Sequence, residues 1–323
     1  MDLAIVTVSY NTRDLLADCL TSVFLSLEGS GLSAEVWVVD NASADGSAEM
    51  VRQRFPRVRL LAHERNAGFA VGNNLALQEI GFPLLSSNAS NVASLEDLPR
   101  HVLFLNPDTR VLGDALDVMV GFLDKAPQAG AAGARLVHGD GGFQHSAFSF
   151  PGLAQVFFDF FPIHPRLVDS RLNGRYPRRL YEGGEPFPVD HPLGAALMVR
   201  REALVQAGGF DERFFMYCEE IDLCRRIHAA GWAIYCVPHA RIVHLVGQST
   251  QQFRDRMFVA LWRSRYLMFD KHDGALFRWL VRRLVRLGLW AEAQRARAAH
   301  KRRSLSSREL EGRLDAFREV ASL

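Results

Sequence analysis

The sequence predicts an α/β fold: a Rossmann-like, mostly parallel central sheet flanked by helices, followed by a C-terminal helical appendage. Residues 3–9 are a continuous apolar, β-branched run, as in a strand buried on both faces of a parallel sheet, and residues 35–39 (EVWVV) supply a second buried strand. Residues 14–27 lie between them and repeat apolar side chains at intervals of three and four, which indicates a helix. Together they form a βαβ unit, in which ligands bind at the carboxyl ends of the strands.

Length and composition limit what the fold can contain. The chain has 323 residues, of which 48% are hydrophobic, enough to bury one large core and an appendage. The four cysteines lack paired CxxC spacing, so we expect reduced thiols. The sequence opens directly on a strand, and no run approaches the roughly 20 apolar residues of a membrane span. We therefore expect a cytoplasmic protein.

Basic residues are concentrated near the C-terminal end. Residues 271–303 contain ten basic and two acidic side chains, whereas the rest of the chain carries a net charge of about −6. In this segment four leucines form one helical stripe, and four arginines are expected on the other side: Leu276, Leu280, Leu284, Leu287 and Arg278, Arg282, Arg283, Arg286.

Such a helix can lie in a membrane interface, with Trp279 and Trp290 at the boundary and arginines on anionic head groups. The alternative is a helix docked on the protein's own core or on a second subunit, which leaves a homo-oligomer open. No nucleic-acid partner is expected, because no RNA- or DNA-binding module surrounds the basic segment.

Polar side chains follow the first two predicted strands. Tyr10 and Asn11 end the first, and Asp40, Asn41 and Ser43 end the second, so parallel pairing would bring them together. Polar residues after a strand are also common turn formers. The chain lacks the GxGxxG fingerprint of dinucleotide-binding folds.

Residues 101–109, HVLFLNPDT, read as a buried strand that delivers Asn106 and Asp108 to the edge of the sheet. The same letters also suit a simple turn with proline at its second position.

Residues 208–226, GGFDERFFMYCEEIDLCRR, place five carboxylates beside an aromatic run. Glu219 and Glu220 are predicted in the first turn of a helix, where unpaired N–H groups favour ionised carboxylates and would keep a general base competent. The alternative is an ordinary acidic helix start, with Asp222 paired to Arg226 four residues on.

This acidic stretch closely resembles the motif FFxYxEDxDLCxR of bacterial family 2 glycosyltransferases, inverting enzymes of the GT-A fold, especially the rhamnosyltransferase-like ones. Other motifs of that family follow the same order, and the resemblance covers about residues 3–250. It implies that Glu220 is the catalytic base, although the family has Asp there. Glu219 and Asp222 are the next candidates. The extra methylene moves the carboxylate by about 1.5 Å.

The resemblance also implies a nucleotide site. Thr7 and Tyr10 would flank a pyrimidine base, and Asp40 would read its edge. In residues 64–75, Asn66 and Gly68 would approach the nucleotide, and Asn73 with Asn74 would begin or cap the next helix. The expected nucleotide-site residues are Thr7, Tyr10, Asn11, Asp40, Asn41, Ser43, Asn66, Gly68, Asn73 and Asn106.

A divalent cation, Mn²⁺ or Mg²⁺, is likewise implied by the resemblance. Asp108 matches the last acid of a DxD-like motif, whereas Asn106 replaces the first. His244 matches a late H-x-x-G-x-S position and would complete the coordination. A hard ion with oxygen ligands neutralises the charge that grows on a departing diphosphate.

The expected organisation is a catalytic domain over residues 1–250, with a nucleotide-sugar half (1–110) and an acceptor half (111–250), then a basic helical tail (251–323). Residues 81–100 read as a surface loop. Residues 139–192 are candidates for the acceptor side, and their aromatic run 157–161 is interpreted as a satellite core.

The predicted function is that of a metal-dependent inverting hexosyltransferase. It would move a sugar, with rhamnose the first guess, from a dTDP- or UDP-sugar to a glycan or polyprenyl-linked glycan acceptor in cell-surface polysaccharide synthesis. The tail would hold it at the inner face of the plasma membrane. One alternative is a nucleotidyltransferase, against which the missing Gly-rich triphosphate loop argues. The other is a non-catalytic membrane-associated assembly subunit, which the departures at Asn106 and Glu220 leave open.

Overall fold

The computed structural model describes residues 1–85, 94–245 and 254–323. These residues form two compact units. The first contains Met1–Phe148, Tyr176–Phe215 and the described part of Glu219–Ser249. The second contains Ser149–Arg175, Met216–Cys218 and residues 254–323. The expected domain boundary after residue 250 and part of the expected loop 81–100 lie outside the described residues.

The elements are numbered in chain order. Within the described residues the strands are β1 (Leu3–Ser9), β2 (Ala34–Asp40), β3 (Arg59–Ala62), β4 (His101–Leu105), β5 (Thr109–Val111), β6 (Ala129–Val137), β7 (Ala147–Phe148), β8 (Phe187–Pro188), β9 (His191–Pro192), β10 (Ala196–Arg200) and β11 (Ala233–His244). The helices are α1 (Arg13–Glu28), α2 (Ser47–Arg54), α3 (Phe69–Ile80), α4 (Ala115–Lys125), α5 (Leu153–Phe160), α6 (Pro165–Val168), α7 (Arg178–Glu182), α8 (Arg201–Ala207), α9 (Glu219–Ala229), α10 (Arg254–His272), α11 (Ala275–Lys301) and α12 (Ser307–Ser322).

The first unit is built on one large sheet with the order β3-β2-β1-β4-β10-β6-β11-β5, and β8 pairs with β11. Strands β3, β2, β1 and β4 are parallel, β10 runs antiparallel between β4 and β6, and β11 is parallel to β6. The strand order therefore reverses at β1, between β2 and β4. Ligands of such sheets bind in the crevice at this switch point.

Burial explains why these segments form the sheet. All seven residues of β1 and all five of β4 are buried, as their largely apolar sequences predict. Helix α1 covers them with Leu16, Leu20 and Val23 at helical spacing. The predicted βαβ unit is confirmed, and so is the mostly parallel α/β sheet.

The second unit is helical and has its own core. Phe160 of α5 stacks on Trp262 of α10, with ring centroids 5.2 Å apart and both side chains buried. Gly288 of α11 lies against the same phenylalanine, so closely that a Cβ there would overlap the ring. The interpretation of the aromatic run as core is therefore confirmed at Phe160.

Helix α11 differs from the expected stripe. Its buried face consists of Val281, Val285, Gly288, Leu289 and Ala296. Leu276 and Leu287 are instead exposed, and Arg283 lies on their side of the helix, because residues seven and four apart share a face. The expected separation of leucines from arginines was wrong at Arg283. Among the described residues, no helix is long and apolar enough to cross a membrane.

Candidate active site

The pairing register brings the first two strand ends together. Ser9, the last residue of β1, lies opposite Asp40, the last residue of β2. Asp40 is buried, and its Oδ2 accepts a hydrogen bond from the N–H of Ser43 at 3.0 Å. Within the described chain its Oδ1, the Thr7 Oγ1 and the Asn41 Oδ1 are buried without a hydrogen-bond partner. Buried polar atoms normally have partners, so these three are positions that a ligand can satisfy.

Asn11 and Ser43 join the two loops beyond these strands. The Asn11 N–H donates to Ser43 Oγ at 2.9 Å, and its Oδ1 accepts from the N–H of Ala44 at 2.7 Å. The backbone of Asn11 is left-handed, with φ of 53°. Tyr10 remains 43% exposed beside them. Asn11 and Ser43 thus join the loops that follow β1 and β2, whereas the Tyr10 ring is accessible to a ligand.

Gly68 connects the start of α3 to the acidic stretch at residues 208–226. Its φ is 90°, and a Cβ there would lie 2.3 Å from the carbonyl oxygen of Phe215. The N–H of Phe69 donates to that same oxygen at 2.9 Å, and Asn41 Nδ2 donates to the Gly68 carbonyl at 3.0 Å. Asn66 Oδ1 accepts from the Gly68 N–H at 3.0 Å. Only glycine fits this close approach.

The expected role of Asn73 and Asn74 as helix starts or caps was wrong. Helix α3 begins at Phe69, and both asparagines lie buried inside it. Asn73 Nδ2 donates to the Phe69 carbonyl at 2.9 Å. Asn74 exchanges two hydrogen bonds of 2.9 Å with the backbone of Phe210, at the start of the acidic stretch. Its amide therefore ties α3 to that stretch, which capping preferences alone do not indicate.

Asp108 and His244 come together at the same edge of the sheet. The Asp108 Oδ1 lies 3.6 Å from the His244 Nε2, and both side chains are buried. The Leu245 N–H donates to the Asp108 carbonyl at 2.9 Å, because β11 pairs with β5 there. Burial raises the pKa of Asp108 and lowers the pKa of His244, and each partner's charge opposes the shift. A neutral imidazole beside a carboxylate is the form that binds metals.

Gln144 contacts His244, and no sequence motif indicates this contact. Gln144 Nε2 lies 3.0 Å from His244 Nδ1, and in the described chain its Oε1 has no partner. A half-turn of the amide about its Cγ–Cδ bond places Oε1 at the same position, where it can accept from an Nδ1–H. Metal-binding histidines commonly donate their second N–H in this way.

The pair fits a divalent cation. Two ligand atoms at roughly 2.1 Å from one ion are compatible with the 3.6 Å separation of Asp108 Oδ1 and His244 Nε2. In the described ranges, no three His, Cys, Asp or Glu side chains gather as a possible metal cluster. The Asn106 backbone holds the loop: its N–H donates to the Ala195 carbonyl at 2.9 Å, and its carbonyl accepts from Thr109 Oγ1 at 2.7 Å.

Helix α9 begins with the two glutamates, as predicted. Asp222 is fully buried and pairs with Arg226, with 2.9 Å between Asp222 Oδ2 and Arg226 Nε. This is the pairing that the alternative interpretation of the stretch describes. Tyr217 and Cys218, directly before the helix, have φ of 71° and 65°. Consecutive left-handed residues other than glycine are strained, and such strain clusters at functional sites.

The ionisation of the two glutamates differs from the expectation. Burial raises the pKa of Glu220, and N–H groups of Glu220, Ile221 and Gly194 only partly oppose it. Burial also raises the pKa of Glu219 well above its usual value, and the charge of Glu220 adds to this. The helix start therefore lowers the pKa less than burial raises it. A carboxylate with a raised pKa is a better proton acceptor near neutral pH.

Gly194 contacts Glu220 directly. Its backbone N–H opposes the rise in the pKa of Glu220, and a Cβ at Gly194 would lie 3.1 Å from Glu220 Cγ. Gly194 precedes Ala195, whose carbonyl binds the Asn106 N–H. A series of contacts thus runs from Glu220 through Gly194 and the Asn106 loop to Asp108. The only sequence signal for Gly194 is the small-residue run before β10.

Known proteins with similar sequences show which family the chain belongs to. Residues 4–205 match the family described as glycosyl transferase family 2. The chain is 31% identical over 289 residues to the N-acetylglucosaminyl-diphospho-decaprenol L-rhamnosyltransferase of Mycobacterium tuberculosis, covering 87% of this chain and 89% of that protein. It is 33% identical over 191 residues to rhamnosyltransferase WbbL of Escherichia coli, covering 57% and 63% of the two chains.

Solved structures share the fold. The mannosyltransferase PcManGT from Pyrobaculum calidifontis, in complex with GDP-Man and Mn²⁺, has a TM-score of 0.52 at 16% identity, covering 99% of this chain and 80% of that one. GalNAc-T7 with UDP, GalNAc and Mn²⁺ also has a TM-score of 0.52 at 16% identity, with 80% of this chain covered and about half (47%) of that protein. The expected GT-A fold is confirmed, and the chain belongs to glycosyl transferase family 2.

Proposed function

We propose that this chain is a metal-dependent, inverting glycosyltransferase that moves rhamnose from a nucleoside-diphosphate donor to a hydroxyl of a polyprenyl-linked glycan. One observation supports the proposal: contacts run from Glu220 through Gly194 and Asn106 to Asp108 and His244, so that a carboxyl group and a carboxyl–imidazole pair lie at one sheet edge. The sugar and acceptor follow from the relatives, which include an N-acetylglucosaminyl-diphospho-decaprenol L-rhamnosyltransferase.

Each residue of the proposed site has its own role in the reaction. Glu220 accepts the proton of the acceptor hydroxyl, whose oxygen then attacks the sugar carbon from the face opposite the diphosphate. Asp108 and His244 would hold a Mn²⁺ or Mg²⁺ ion. When bound, the ion neutralises charge on the departing diphosphate. Asp40, Thr7 and Asn41 offer buried polar atoms to the nucleotide.

The nucleotide role of Asp40 has a direct test. Asp40→Ala should weaken UDP or dTDP binding by about 1 to 3 kcal/mol, the size of a lost hydrogen bond to a charged group. Calorimetry of the wild type and the variant measures this difference. Equal affinities would remove Asp40 from the nucleotide site.

The whole function is tested by transfer. The protein, with Mn²⁺ and a panel of dTDP- and UDP-sugars, should glycosylate a short prenyl-diphosphate N-acetylglucosamine acceptor and invert the configuration at the anomeric carbon, as NMR would show. Chelation should stop the reaction. Release of pyrophosphate from nucleoside triphosphates would support a nucleotidyltransferase, which membership of family 2 does not favour. Absence of transfer with every donor would favour a non-catalytic subunit.

We also propose that the enzyme works as a peripheral protein at the inner face of the plasma membrane. Two observations support this: the related mycobacterial enzyme has a decaprenol-linked substrate in its name, and residues 254–323 contain 17 Lys and Arg against 8 Asp and Glu. An acceptor with a polyprenyl chain stays in the bilayer, so a cationic tail would bring the enzyme to it.

A further inference from the structure

A groove lies between α11 and α12 in the helical unit. Its volume is about 370 Å³. This is within the roughly 300–1,000 Å³ of small-molecule sites. Arg286, Trp290 and Arg297 line it from α11, four and seven residues apart, so they share one face of that helix. Leu314 and Arg318 line it from α12 at the same kind of spacing.

The groove has an apolar floor and a cationic rim. Leu289, Leu314 and Phe317 form the floor, and the guanidinium groups of Arg286, Arg297 and Arg318 belong to the rim. All three arginines are exposed. Arg318 pairs with Asp315 at 2.6 Å, but both side chains of this pair are well over half exposed. Such surface ion pairs contribute little, so Arg318 can exchange its partner for another anion.

The surface beside the groove is apolar as well as basic. Along α11, Leu276 is 71% exposed, Trp279 53%, Leu287 55% and Trp290 62%. The guanidinium of Arg283 lies 5.3 Å from the Trp279 ring centroid. Tryptophan with neighbouring arginine is the combination found where a helix meets the boundary between lipid head groups and chains. A rim of three cations alone would suit any phosphate, whereas this apolar border and floor suit an amphiphile.

We propose that this groove binds an anionic membrane lipid, with its head-group phosphate between Arg286, Arg297 and Arg318 and the start of its chain against Leu289, Leu314 and Phe317. The groove would then fix how the tail lies on a bilayer. The inference rests on the proposed function only because a lipid-linked acceptor requires the enzyme at a membrane. Lipid binding itself can be measured without any transfer reaction.

The test uses the full-length protein and vesicles of phosphatidylcholine with or without phosphatidylglycerol. The double variant Arg286→Gln/Arg297→Gln should lose binding to the anionic vesicles by about tenfold or more, since each basic residue near the surface contributes about 1 kcal/mol. The matched control is Arg256→Gln/Arg308→Gln, which removes two exposed arginines that do not line the groove. Equal losses in both double variants would reduce the groove to general charge attraction and overturn the proposal.

A second pair of variants tests the groove without removing arginine. Ala321 lines the groove and is exposed, so Ala321→Glu should repel the phosphate and weaken vesicle binding without disturbing the fold. Ala298→Glu adds the same charge at an exposed position outside the groove and should change binding less. Equal effects of the two glutamates would contradict the proposal.

The ligand's source is settled by calorimetry with soluble probes. Short-chain phosphatidylglycerol below its micelle concentration should bind at one saturable site, and inorganic phosphate should bind much more weakly. Equal affinity for both would make this a phosphate site and not a lipid site. Transfer to a water-soluble acceptor should be the same in all these variants. If neither the wild type nor any variant transferred sugar, the proposed function would be wrong, but the lipid-binding results would still support the lipid site.

Discussion

Two acidic centres at the same sheet edge differ mainly in their neighbours. Asp108 lies beside an imidazole, whereas Glu219 lies beside the carboxylate of Glu220. Burial raises the pKa of all three carboxyls. The charge of His244 opposes that shift at Asp108, but the charge of Glu220 increases it at Glu219. Burial therefore does not distinguish the two centres, because it raises the pKa in both. The neighbouring side chain does: a carboxyl beside an imidazole suits a cation, whereas a carboxyl beside a second carboxyl suits a proton acceptor.

The largest expected effect is at Glu220. Glu220→Gln keeps the shape and removes the proton acceptor, so transfer should fall by about 10² to 10⁴ while donor binding survives. Glu219→Gln is the matched control and should do less to the chemical step. Steady-state rates together with calorimetry of the donor separate the two effects. A wild-type rate in Glu220→Gln would move the base to Glu219 or Asp222 and remove the contrast between the centres.

The next effect is on the cation. Asp108→Asn keeps the side chain's size but removes its charge. Mn²⁺ affinity in the presence of UDP should therefore fall by more than the roughly 10- to 100-fold that is typical of losing an outer partner. Titration followed by electron paramagnetic resonance measures free Mn²⁺ directly. If Asn at this position bound Mn²⁺ as tightly as Asp does, the first centre would not be a cation site.

Gln144 should have a smaller effect on the same measurement. Gln144→Leu removes the acceptor for the His244 Nδ1–H, and Mn²⁺ affinity should fall by about tenfold. Gln144→Glu retains an oxygen at that position and should restore most of the affinity. A purely structural role would instead leave Mn²⁺ affinity unchanged in Gln144→Leu and show only in thermal stability.

The smallest expected effect concerns stability. Because burial raises the pKa of Glu219 in the fold, its stabilisation is complete below its usual value of 4.5 and is lost as pH rises through the higher folded pKa. Glu219→Gln cannot ionise, so its melting temperature should exceed that of the wild type by a few degrees at neutral pH. The difference should shrink toward pH 4.5. A constant difference across pH would mean that Glu219 does not titrate as a buried carboxyl.

The sequence predicted most of the fold because the local signals agreed. Strand β1 is largely apolar and has the predicted bounds, and α1 and β2 extend by only one residue at either end beyond the predicted ranges. The placement of Asn73 at a helix start was wrong because α3 begins earlier, at Phe69, directly after Gly68. The position of Gly68 is set by its contact with Phe215, which is distant in the chain. Local preference yields to such contacts.

The residues of the site were predicted only where they belong to a recognisable sequence motif. The pairing of Asp108 with His244 followed from the family resemblance, but Gln144 lies 100 residues from His244 and has no motif around it. The sequence also shows that Glu219 and Glu220 start a helix, yet it does not show how deeply they are buried. Since burial decides the direction of their pKa shifts, that direction could not be predicted.

The contact of Gly68 with Phe215 joins the start of α3 to the acidic stretch. The Phe69 N–H binds the Phe215 carbonyl, and Asn74 holds Phe210 at both its N–H and its carbonyl. The loop before α3, which we propose binds the nucleotide, and the segment around Phe210 and Phe215 should therefore move together. Nucleotide binding should slow amide exchange at Phe69 and at the buried Phe210 together. Binding of the donor would then restrain the segment that leads to Glu220 before the acceptor binds. This coupling would favour ordered binding, with the donor first.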